Sequence, residues 1–72
     1  MDEKTAYYAA LRRLNEAEDR LRGVAVARLT LLVDSGIEIT EADKAEFRNV
    51  RLERDRAYEA YDAAARKAWG KQ

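Results

Sequence analysis

The sequence predicts an all-α protein, an antiparallel two-helix hairpin that dimerises into a four-helix bundle. Three observations carry this expectation. Apolar residues recur at alternating spacings of three and four along most of the chain, a Ser-Gly pair followed by a capping motif interrupts the pattern once, and Pro is absent. A period near 3.5 puts the apolar residues on one stripe of a helix. A short interruption between two such stripes folds one helix back on the other.

The first stripe reads Tyr7, Ala10, Leu14, Ala17, Leu21, Val24 and Leu31, with Leu11, Ala25 and Leu32 beside it. Arg12, Arg13, Glu16, Asp19, Arg20 and Arg22 fall off the stripe, and Glu16 to Arg20 and Glu18 to Arg22 have the i,i+4 spacing of favourable helix pairs. The first helix is expected from about Asp2 to Asp34. Ser35-Gly36 ends it, because glycine accepts the left-handed conformation at C′, and Ile37 stands where a Schellman motif would close against Leu32.

After a turn over residues 35–40, Thr40-Glu41-Ala42-Asp43 has the spacing of a capping box, with acidic side chains in the first turn where the helix dipole favours them. The second helix is expected from about Glu41 to Trp69. Its stripe is Phe47, Val50, Ala57, Tyr61, Ala64 and Ala68, and Gly70 ends it. The whole chain, 1–72, then forms one helical-hairpin domain with helices about 45 Å long at 1.5 Å per residue. The expected register sets Leu14 near Tyr61, Leu21 near Arg54, Val24 near Val50 and Arg28 near Phe47. A rival arrangement ends the first helix at Gly23 and folds residues 24–40 into a β-hairpin around Asp34-Ser35-Gly36. Ala25, Ala27 and the continuing stripe favour the helix.

A chain of seventy-two residues buries only about 60% of the surface its unfolded form exposes, so it usually needs a staple. Cys and His are both absent, which excludes disulfides and structural zinc and leaves helix packing and oligomerisation. Fourteen basic and fourteen acidic residues cancel. The overall field that would draw the chain to nucleic acid or anionic lipid is therefore missing. Asp2, Glu3 and Lys4 leave no apolar leader, and no apolar run approaches a membrane span, so a cytoplasmic location is expected.

No catalytic residue, cofactor or metal is expected. Ser35 is the only Ser, it lies in the turn, and no His is available to activate it. Gly23, Gly36 and Gly70 match no phosphate-binding loop. The acidic residues mostly lie on the outer faces as partners of Arg, away from any inward ligand cluster. Arg28 and Arg54 occupy stripe positions where an apolar residue is expected. In this they resemble the inward arginines of the all-helical chorismate mutases, a resemblance that implies an enzyme holding a dicarboxylate. Those enzymes use a third helix, for which this chain has no residues. The favoured reading is that each guanidinium reaches the rim or pairs with an acid, Arg54 with Glu18 and Arg28 with Asp43 or Glu46.

Two further resemblances suggest alternatives. Arg48, Arg51, Arg54 and Arg56 form a basic run, and a dimer of hairpins resembles the small plasmid-control protein that grips RNA loops, which implies nucleic-acid binding. Glu53, Asp55 and Glu59 interleave with the run and neutralise it. Tyr58-Glu59-Ala60-Tyr61-Asp62 is similar to the Tyr-x-x-x-Asp export signal of type VII secretion hairpins. The Trp-x-Gly turn of that family is absent, since Trp69-Gly70 lies at the far end.

What remains is apolar surface in one place. Val24 to Val33 carry apolar side chains on every side of the first helix, and one antiparallel partner covers a single stripe. Val26, Leu29 and Val33, with Leu52 on the second helix, are the expected oligomer or partner interface. Tyr7, Tyr8 and Trp69 are candidate partner-binding aromatics at the open end, where Tyr61 joins them. The expected function is a non-catalytic protein-binding or oligomerisation module, an adaptor or inhibitor. Its expected partners are a second copy and another protein, not nucleic acid or membrane.

Overall fold

The computed structural model describes residues 2–70. Two helices, α1 (Glu3–Ser35) and α2 (Glu41–Trp69), pack against each other as a rod of 50 × 19 × 17 Å. Arg20 meets Glu53 and Arg28 meets Asp43 and Glu46, so partner numbers fall along α2 as they rise along α1. The hairpin is antiparallel. The described residues contain no strand, and α1 passes through Gly23 unbroken, which removes the β-hairpin arrangement over 24–40. α1 begins and ends one residue later than its caps suggested.

Both starts are made by side chains. Asp2 accepts hydrogen bonds from the Lys4 and Thr5 amides at 2.8 and 3.0 Å, satisfying two donors that a helix start leaves open. At α2 the capping box closes: the Asp43 amide donates to the Thr40 hydroxyl and the Thr40 amide donates to the Asp43 carboxylate, each at 3.1 Å. Gly36 ends α1 at φ 68°, with its amide on Leu32 O at 3.0 Å, and the Ile37 amide reaches back to Leu31 O at 3.3 Å.

Burial is concentrated away from the turn. Leu14, Ala17 and Ala57 are the buried residues, and Tyr61 packs against them. Ala17 and Ala57 keep 1% and 3% of their surface, so the layer is built on small side chains from both helices. Toward the turn the seam loosens. Leu21, Val24, Phe47 and Val50 are half-buried, and every residue from Leu29 to Ala42 is exposed. The chain's accessible surface is 5512 Å², whereas a compact monomer of 8.3 kDa would expose about 4,600 Å².

Candidate interaction surface

The open end carries an aromatic cluster centred on Tyr7. Its ring lies 5.0 Å from Tyr8, 5.5 Å from Tyr61 and 5.7 Å from Trp69, centroid to centroid, with edge-on contacts to Tyr8 and Trp69. These are the separations at which aromatic pairs attract beyond their contact area. Hydrogen bonding to Tyr61 raises the Tyr7 phenol above its ordinary pKa, and desolvation adds to the effect. Tyr7 is half-buried as the hub, while Tyr8 and Trp69 remain exposed. The ammonium of Lys4 sits 5.0 Å over the Trp69 ring and occupies part of its free face.

Arg28 and Arg54 behave differently. Arg28 bridges to α2, with Nε 2.9 Å from Asp43 Oδ1 and a hydrogen bond from Nη2 to Glu46 Oε1 at 2.7 Å. The Arg28 Nε is buried, and its contact with Asp43 is an ion pair without the alignment of a hydrogen bond. The Thr40 hydrogen bonds hold the Asp43 carboxyl below its ordinary pKa, aided by Arg28. Arg54 does not pair with Glu18. Its Nε donates to its neighbour Asp55 at 3.0 Å, although Glu18 lines the same shallow groove. Arg20 and Arg22 likewise choose Glu53 and Asp19 over the i,i+4 acids, because Glu53 is offered across the seam and Asp19 one turn back.

The basic run is divided. Arg48 lines a groove with Leu29 and Phe47, Arg54 lines the adjoining one with Glu18, and Arg56 lies in a separate groove with Arg13 and Leu52. Four guanidinium groups on a helix cannot all share a face at spacings of three, three and two. The acid of the Tyr-x-x-x-Asp motif, Asp62, is held by Arg66 at 2.9 Å, while Tyr58 is exposed.

Val26, Leu29, Val33 and Leu52 are exposed to 56%, 58%, 70% and 48%. Leu29 lines an apolar groove of about 520 Å³ on one side of the hairpin, between Ala25, Ile39 and Phe47 and rimmed by Lys44 and Arg48. Leu52 lines a groove that shares no residue with it. Ile39 was legible in the sequence as an apolar residue just before the Thr40 cap. A residue there usually packs on the fourth helical position, which here is Lys44, so Ile39 has no staple partner and turns to the groove.

From that groove a furrow continues toward the open end. Ala25 and Phe47 lead into a stretch lined by Leu21 and Glu18, and Glu18 and Arg54 lead on to Asp55, Tyr58 and Glu59. Among the described residues no three or more acidic side chains gather as a metal site, and no helix is long and apolar enough to cross a membrane. Comparison of the chain with protein-family models, with curated proteins and with solved structures finds no match.

Proposed function

We propose that this hairpin is a non-catalytic protein-binding module that acts through helix–helix contacts and pairs with a second copy as a four-helix bundle. The observation that carries the reading is the uncovered apolar surface of the turn half. Leu29, Leu31, Leu32, Val33, Ile37 and Ile39 are all exposed there. Large apolar side chains left uncovered together on one stretch of chain suit an interaction site. An adaptor or inhibitor exchanging this surface for a foreign helix would need no catalytic group.

Light scattering or sedimentation of the parent against Leu29→Glu tests this. The parent should be dimeric at micromolar concentration. Leu29→Glu should be monomeric or a weaker dimer with an unchanged helical spectrum, because desolvating a carboxylate in an apolar interface is costly even with cations on the rim. A parent that stays monomeric at high micromolar concentration, with Leu29→Glu behaving identically, would exclude the self-association reading.

A further inference from the structure

The furrow on the Leu29 side has unlike ends. At the turn end it is an apolar groove whose wall includes the mutually paired Arg28 and Asp43, with two further cations on its rim, Lys44 and Arg48. Arg48 makes no ion pair among the described residues, and Lys44 is held only by Glu41, at 3.3 Å. At the open end the furrow offers one large projecting side chain between two acids: Tyr58, 54% exposed, with Asp55 and Glu59 beside it. Glu59 makes no ion pair among the described residues, and Asp55 is held only by its neighbour Arg54. One end is thus a socket with a basic rim and the other a plug with acidic flanks.

We propose that the occupant of the socket is Tyr58 of a second copy, packed antiparallel about a two-fold axis that crosses α2 between residues 51 and 52, where Arg51 itself lines none of the furrow's grooves. This rests on the self-association reading above and specifies its geometry. The socket's α2 wall, Asp43 to Arg48, centres on residue 45, thirteen residues from Tyr58 on the same helix, about 20 Å at 1.5 Å per residue. A two-fold axis midway between them therefore seats each Tyr58 in the other copy's socket at once, as a closed interface requires. The same operation sets Arg48 opposite Asp55 and Lys44 opposite Glu59 of the second copy, twice over.

A parallel pairing, with both turns at one end, sets Arg48 against Arg48 and Tyr58 against Tyr58 and leaves both sockets without a plug. Like charges directly opposed cost specificity and on-rate. A tyrosine suits the socket, since its ring buries a large area at low entropic cost and its hydroxyl can remain at the wet rim.

The chain has no Cys, so a single introduced thiol is a unique label. A spin label on Glu41→Cys, at the start of α2 and outside the socket, reads the arrangement. In the antiparallel dimer the two labels should stand about 30 Å apart along the axis, whereas a parallel dimer brings them within about 20 Å, set by helix spacing. Tyr58→Ala should weaken the dimer about tenfold or more, as loss of an aromatic anchor does, with helicity unchanged. Arg48→Glu should weaken it too, and adding Asp55→Arg should restore it, which neither change does alone. Labels close together, or a dimer indifferent to Tyr58→Ala and to the charge exchange, would overturn this geometry and leave self-association standing. A parent monomeric at all accessible concentrations would end both.

Discussion

Asp43 joins the two helices through one carboxylate: Oδ2 accepts the Thr40 amide at 3.1 Å, and Oδ1 lies 2.9 Å from Nε of Arg28 on α1. The same side chain starts α2 and anchors it to its neighbour. Asp43→Asn keeps an acceptor for the Thr40 amide and loses the charge, while Asp43→Ala loses both. Thermal unfolding followed by helical circular dichroism should therefore rank parent above Asp43→Asn above Asp43→Ala. Equal losses in the two variants would mean that the side-chain acceptor at position 43 contributes nothing to the cap.

Stability should be flat across neutral pH and fall at both extremes. No His titrates in between. Asp2 and Asp43 have folded pKa values below the ordinary 3.8, so their contribution is complete above 3.8 and is lost as pH falls through the lower folded values. For Asp2 the cause is hydrogen bonding from Thr5 and Lys4, and for Asp43 chiefly from Thr40. Tyr7 runs the other way. Its folded pKa is raised above 10.0, so its contribution is complete below 10 and is lost as pH rises through the folded value. Denaturation midpoints measured between pH 2 and 11 check both limbs, and a midpoint that moves between pH 6 and 8 would contradict the scheme.

Gly23 and Gly36 should respond to alanine with opposite signs. An added Cβ meets nothing within 4 Å at either position. Gly23 has helical backbone inside α1, so Gly23→Ala should stabilise by about 0.4 to 1 kcal/mol. Gly36 sits at φ 68°, where a Cβ is strained, so Gly36→Ala should cost about 1 to 2 kcal/mol. Urea denaturation of the two variants beside the parent gives both values.

Leu14→Ala should remove about 2 to 5 kcal/mol, because Leu14 belongs to the small buried cluster and little else can move in to fill its place. That is a large share of the stability of a 72-residue chain. An exposed change such as Val33→Ala should be nearly silent in the monomer. If the two cost the same in equilibrium unfolding, the buried layer is not what holds the hairpin.

The helices, the caps and the direction of packing were legible in the sequence because each depends on local chemistry. Thr40 and Asp43 at spacing three, Gly36 after Ser35 and the three-four stripe all act within a turn or two of chain. The expected closeness of Leu14 to Tyr61 followed from the turn length and is found in the buried layer. Ion-pair partners were legible only in part: Arg28 meets Asp43 and Glu46 as expected, but elsewhere a long side chain chooses among several acids by rotamer and by what the opposite helix offers. Arg54 meets Asp55 instead of Glu18, and Arg20 meets Glu53 instead of Glu16. The apolar groove was half legible. Leu29 stood out by its neighbours, but the contribution of Ile39, Phe47 and Arg48 depends on how the turn brings α2 alongside, which no periodicity encodes.

The burial gradient along the rod has a dynamic consequence. Opening a segment costs the contacts it breaks, and the stretch from Leu29 to Ala42 breaks few, while the turns around Ala17 and Ala57 open only with the whole hairpin. Backbone amides should therefore exchange with solvent in two regimes along α1, fast by local fraying beyond Leu29 and slow, at the free energy of global unfolding, near Ala17. Occupying the Leu29 groove would bring the fast segment toward the slow regime.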